Sequence, residues 1–353
     1  MRVLKCLGVV VVTIAVVGTQ TGVWMFSPTA IARHDAWGTP GLDSSGFTVD
    51  VADDAASLAV AAPPPIRGPY RAQPPPPSGG VVWQDRFDTA PPGQPTKSTG
   101  DSLFTPMADP TDDKTYIRSS NAYIHSSIED DPAGGGILHH TIPANELGQF
   151  TVSPRLTREV EHAILQYDIR FDDNFDWRWG GKMPGLVGVA PGVNIYAPTS
   201  GRTNRDVGFS ARLMWNGRGD DGSRPFQGTL GPIPAGRDND IVTYIYARYP
   251  QEGFDGYGWQ ANLGSELLRG VWHNIKMEVK LNTVGRNDGI YSVWFDDDLR
   301  FSASNWNYRN RSDVMIDAVL YDIHRGGGAG NPNWVSSRDT YVDVRNMVVT
   351  EVP

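Results

Sequence analysis

From Val81 onward, apolar and polar side chains alternate with a period of two. His162–Phe171 sets Ala163, Leu165, Tyr167, Ile169 and Phe171 against Ile164, Gln166, Asp168 and Arg170. Asn274–Leu281 sets Ile275, Met277, Val279 and Leu281 against Asn274, Lys276, Glu278 and Lys280. Strands of this kind bury one face and wet the other. Val81–Phe87, Phe209–Trp215, Thr243–Tyr249, Gly289–Phe295, Val314–Ile323 and Tyr341–Val349 read as further strands, parted by turn signals such as Asn287-Asp288-Gly289. No long helical periodicity and no internal repeat is present. Many short strands joined by glycine-rich turns predict an all-β fold, a β-sandwich of the jelly-roll kind.

Before Val81 the pattern is missing. Residues 1–32 open on Arg2 and Lys5, run through the apolar Leu7–Gly18, and reach a small-x-small site at Ala30-Ile31-Ala32. This reads as a signal peptide cleaved near Arg33. The rival is an uncleaved membrane anchor, since Val23–Phe26 extends the apolar stretch toward the roughly 20 residues that span a bilayer. Either route predicts a secreted or cell-envelope protein. Residues 33–80 end in Pro63–Gly80, PPPIRGPYRAQPPPPSGG. Such a stretch favours an extended spacer without a core, so it is expected to be a disordered Pro-rich linker. The remaining 81–353 suit one domain.

Charge and composition narrow the chemistry. The chain carries a net charge of −9. All of it falls on residues 80–353, because the segments before them cancel. A domain this acidic is a poor general binder of nucleic acid or anionic membrane, so a polyanion would need a local basic groove. Contact with membrane is expected only through an uncleaved leader. The single cysteine, Cys6, lies in that leader, leaving the domain no internal disulfide and no cysteine metal site.

Within the domain, Tyr167–Gly188 runs from a strand into an aromatic, glycine-rich turn that presents Lys182. In Phe209–Trp215, Ser210, Arg212 and Met214 share a face; in Thr243–Tyr249, Tyr244, Tyr246 and Arg248 do. Tyrosines that merely pack with wet hydroxyls explain the same strand. A reaction explains it too. Cleaving a uronic-acid polymer by β-elimination needs a cation to neutralise the C6 carboxylate, a base for the C5 proton and an acid for the departing O4. Lys182 and Arg212 suit the first role and the tyrosines the other two, their phenolates favoured by nearby cations.

The run GGKMPGL (Gly180–Leu186), then FSARLMW (Phe209–Trp215), then Tyr244-x-Tyr246 resembles the alginate and glucuronan lyases of polysaccharide lyase families 14 and 20. Trp272–Asp297 resembles their long strand–turn–strand segment, and His324–Gly327 the closing part. The resemblance spans about residues 81–353. It implies a concanavalin-like β-jelly roll with a concave substrate groove. It also implies a functional lysine at Lys182, a serine and arginine at Ser210 and Arg212, and a tyrosine pair at Tyr244 and Tyr246. Two features depart from the family's pattern. Asn216–Val242 is longer than expected, and Asn216 stands where a basic residue is expected. These imply a lid, a redirected specificity or a relative that no longer cleaves.

The leading expectation is therefore an exported, monomeric polysaccharide lyase acting on an anionic polysaccharide without a cofactor. Lys182, Ser210, Arg212, Tyr244 and Tyr246 should line one concave face, and Arg212→Ala should leave the fold intact. Trp177, Trp179 and Trp215 are candidate stacking platforms for sugar rings, with Arg248 a further binding residue. A non-catalytic carbohydrate-binding module on the same fold is the alternative. A glycoside hydrolase needs two carboxylates, for which only the loop residues Glu266 and Asp255 offer themselves. His139-His140 is a weak base or metal pair, because neighbours on a strand face opposite ways. His324 reads as a turn or core residue that reaches the groove only as an alternative. Asp296-Asp297-Asp298 reads as a hairpin turn, with structural calcium the alternative.

Overall fold

The computed structural model describes residues 79–87, 116–117, 125–148, 150–199, 205–225, 230–248, 260–327 and 330–353. The leader, most of the Pro-rich segment, Tyr249 and Asp255 lie outside the described residues. Among the described residues fifteen strands pair antiparallel throughout. They are β1 (Val81–Asp85), β2 (Tyr116–Ile117), β3 (Ser126–Asp130), β4 (Gly136–Ile142), β5 (Phe150–Ser153), β6 (Arg155–Val160), β7 (His162–Phe171) and β8 (Gly181–Val189). There follow β9 (Gly208–Asn216), β10 (Asp240–Tyr246), β11 (His273–Lys280), β12 (Gly289–Phe295), β13 (Asp298–Trp306), β14 (Ile316–Arg325) and β15 (Thr340–Glu351). One sheet runs β13-β12-β11-β7-β15-β4-β3 with β1 on β15, and the other β10-β9-β8-β14-β5-β2 with β6 on β14. The two make a jelly-roll sandwich.

The predicted alternation places the core. Leu165, Tyr167, Ile169 and Phe171 of β7 and Ile275, Met277 and Val279 of β11 are fully buried, and they share one cluster with Phe209, Ala211 and Leu213 of β9. The intervening residues of β7 are partly exposed, as expected for a sheet with one wet face. By contrast, β8, β9 and β10 are buried on both faces. Their outward side carries Lys182 and Arg212, the latter paired with Asp322 of β14.

One irregularity sets the height of the site. The pairings of β8 with β9 and with β14 both shift register, the former between Met183 and Leu186. Pro184 sits there, where a missing N–H belongs at a bulge. The Pro184 carbonyl accepts a bond from the Tyr167 hydroxyl across the core, at 3.2 Å. Gly185 is obligatory at this point, because a Cβ would lie 2.0 Å from the Ala211 carbonyl oxygen and 2.8 Å from Arg212 Cα. The close approach draws the backbone of Arg212 against β8.

The acidic run is a turn. Asp296 and Asp297 adopt φ of 51° and 66°, as a two-residue hairpin loop between β12 and β13 requires. Asp296 accepts a bond from the Asn274 backbone N–H at 2.8 Å and lies 2.8 Å from His273 Nδ1. Strand β13 is additional to the predicted set; Leu299, Phe301 and Ala303 alternate with polar residues, but that face is only partly buried.

Candidate active site

The outward face of β14-β8-β9-β10 collects the predicted residues in rows. Register sets His324 beside Lys182, Lys182 beside Met214 and Met214 beside Val242. One step along, Arg212 lies beside Tyr244; the next places Ser210 beside Tyr246. All five catalytic candidates therefore share one sheet face, as the alternation predicted.

At its centre the Tyr244 and Tyr246 hydroxyls lie 2.9 Å apart, with their rings edge to face. Three cations surround the pair. Lys182 Nζ sits 4.3 Å from the Tyr244 ring centre. The Arg212 guanidinium lies 5.1 Å from Tyr244 and 5.9 Å from Tyr246. A third, Arg205, lies 4.5 Å from the Tyr246 ring. Sequence alone gave no sign of Arg205, which precedes β9 in a loop without periodicity.

Arg212 is held in a frame. Its Nη1 pairs with Asp322 and its Nη2 donates to the Thr199 carbonyl at 3.0 Å. Asp322 also accepts a bond from the Thr151 hydroxyl at 2.7 Å. Ser210 donates to the Pro198 carbonyl at 2.8 Å, pinning the short turn Ala197–Thr199 over the sheet. Ser210 Oγ and both terminal nitrogens of Arg212 are thus spent on the protein, while Arg212 Nε has no hydrogen-bond partner among the described residues.

Burial shapes the charges. It pushes Lys182 down to about 7, assisted by the Arg212 charge and opposed by Asp322. Burial would raise Asp322, but its polar partners hold it well below the usual carboxylate range. His324 Nδ1 lies 2.8 Å from Asp322. Burial keeps this histidine below its ordinary value despite Asp322. Arg212, charged at any working pH, is the permanent cation that faces Asp322.

An unfolded lysine stays protonated to about pH 10.4, whereas folded Lys182 releases its proton near 7. Between those values the unfolded chain binds the extra proton, so this group makes stability rise with pH. Lys182→Met should remove that rise. Denaturant titrations at pH 7 and pH 9.5 check it: the gain of wild type over this interval should shrink in the variant, and an undiminished gain would refute it.

The family model Polysaccharide lyase 14 matches residues 136–347, a span that holds every residue of this cluster. The chain belongs to that family. A marine PL-14 alginate lyase from Aplysia kurodai superposes with a TM-score of 0.56 at 22% identity, covering 77% of this chain and 99% of that one. The alginate lyase Aly36B gives 0.55 at 20% identity, over 76% and 96%. These likenesses establish the shared fold. Exolysin of Paramecium bursaria Chlorella virus 1 is 25% identical over 206 residues, which are 54% of this chain and 30% of exolysin.

In this family 14 member two of the three tryptophans are not platforms. Trp177 and Trp215 are buried in the core against Phe171 and Phe175, and Trp215 donates to the Trp177 carbonyl at 3.1 Å. Trp215 alternates with Met214, so it points inward with Leu213 and Ala211. Only Trp179 is partly exposed, bonded to Ser223 at 2.9 Å and edge-on to Trp334. Arg248 lies past the end of β10 and pairs with Asp206. His139 and His140 sit on the other sheet, bonded to Asp343 at 2.7 Å and to Ser126 and Gly148 respectively. Glu266 accepts the Asp238 backbone N–H.

The long segment supplies what position 216 lacks. Arg224 Nε donates to Asn216 Oδ1 at 2.9 Å, bringing a guanidinium to the end of β9. Further on, Leu230 packs with Met214, Val242, Tyr244 and Tyr246, covering part of the site.

Proposed function

We propose that the protein is an exported polysaccharide lyase that cleaves a polyuronate by β-elimination. The hydroxyl pair of Tyr244 and Tyr246, 2.9 Å apart within a ring of three cations, carries this reading. Cations over a phenol favour its charged form. The pair takes the C5 proton of the uronate, the C4–O4 bond breaks as a C4=C5 double bond forms, and the proton passes to the leaving O4. Tyr246 accepts the proton and Tyr244 positions the sugar.

Lys182 faces the substrate carboxylate, whose charge favours the ammonium form that burial disfavours. Arg212 acts through the tyrosine rings, its terminal nitrogens being occupied by Asp322 and Thr199. The family and the alginate lyases of the same fold support a substrate of this class. The basic leader and its small-x-small site support export.

The test is ultraviolet absorbance of unsaturated uronate after incubating the full chain with glucuronan, alginate and a neutral glucan. Product is expected from a polyuronate and none from the glucan. No product from any polyuronate, with retention on a glycan column, would overturn the enzyme and leave the binding module.

A further inference from the structure

Building on the lyase reading, we infer that Arg205 is the residue that grips a substrate carboxylate on the Tyr246 side of the hydroxyl pair. A uronate whose C5 proton reaches that pair carries its carboxylate on the same carbon, so an anion must come to rest beside the two hydroxyls. Three cations are near enough to meet it, and the structure separates their roles. Arg212 turns Nη1 into Asp322 and Nη2 into the Thr199 carbonyl, and it is 2% exposed. Both terminal nitrogens already hold protein oxygens, so the Nη1–Nη2 fork is not open to a second carboxylate. Lys182 stands on the Tyr244 side. Arg205 stands on the other, over the face of Tyr246 at 4.5 Å.

Its surroundings suit the role. Burial lowers the Arg205 pKa and the two tyrosines act against that, yet a guanidinium remains charged at any working pH. A permanent planar cation on one side and a lysine near its titration point on the other give the site two unequal anchors. Successive uronates of a polymer place carboxylates on both sides of the bond that breaks. Arg205 therefore selects for a charged sugar on its side, independently of Lys182.

The experiment compares wild type with R205Q and R205K on a polyuronate and on the same polymer methyl-esterified. A lost hydrogen bond to a charged group should raise KM about tenfold to a hundredfold in R205Q, with a much smaller change in kcat. R205K, which keeps charge but not the fork, should fall between the two. The salt dependence of KM should flatten in R205Q, and on the methyl ester the two proteins should converge. An unchanged KM, an equal rise on the ester, or equal losses in R205Q and R205K would overturn the assignment. If wild type cleaves nothing, the lyase reading falls, and calorimetric binding of a uronate oligomer to wild type and R205Q decides this inference alone. Weaker binding by R205Q supports it, and equal or absent binding overturns it.

Discussion

Arg212→Ala should destabilise the protein by about 3–5 kcal/mol as well as abolish product formation. From sequence this side chain reads as a pure substrate contact, removable without harm to the fold. Its partner in the structure changes that expectation. Asp322 is 3% exposed and charged, and Arg212 is the cation that meets it. Removing the guanidinium strands a buried carboxylate, which costs far more than the net worth of the pair. Urea denaturation measures the loss. Combining Arg212→Ala with Asp322→Asn should be much less damaging than the sum of the two single changes, because the stranded charge is gone. Strict additivity would mean that the pair is not coupled. Activity of the double variant should stay at background, since the tyrosine rings would still lack their shared cation.

Tyr246→Phe should leave the fold nearly intact and lower turnover by about 10²–10³, within the range for loss of an acid–base group. The ring stays, and with it the contacts to Arg205, Arg212 and the edge of Tyr244. What disappears is one hydroxyl of a hydrogen-bonded pair. The Tyr244 hydroxyl loses one hydrogen bond, at a net cost of about 0.5–1.5 kcal/mol. Tyr244→Phe should reduce turnover less, because it leaves the proton carrier in place. Unsaturated-product assays on both variants, with melting temperatures alongside, read the two effects separately. Equal turnover in wild type and Tyr246→Phe would remove the tyrosine from the chemistry.

The alternation of β7, β9 and β11 was legible because each buries alternate side chains toward one core, and it placed Ser210, Arg212, Tyr244 and Tyr246 on a common face. What alternation cannot state is whether the other face is open. Trp177 and Trp215 show this limit. Tryptophan serves core and sugar platform alike, and in this fold both rings fill the space beside Phe171 and Phe175. Asp322 was hidden, and the place of His324 left open between core and groove, for another reason. They sit on β14, far along the chain, and only sheet order sets them beside Arg212 and Lys182. Arg205 and Arg224 come from irregular segments, where no period marks a side chain's direction. For Arg224 a signal did exist: the missing base at Asn216 beside an unusually long segment rich in arginine.

Sheet order also sets when the site comes into being. Arg212 bonds to an acid 110 positions later in the chain, and β8 stays a sheet edge until β14 closes on it. Non-local pairing of this kind is slow to nucleate, since loop closure precedes any reward. A nascent chain that has not yet released β14 holds both tyrosines and the lysine but not the acid that fixes Arg212. Such a chain exposes the unpaired edge of β8, a template for association with other chains. The same strand that completes the reactive face therefore also seals the sheet, and the two arrive in one event late in folding.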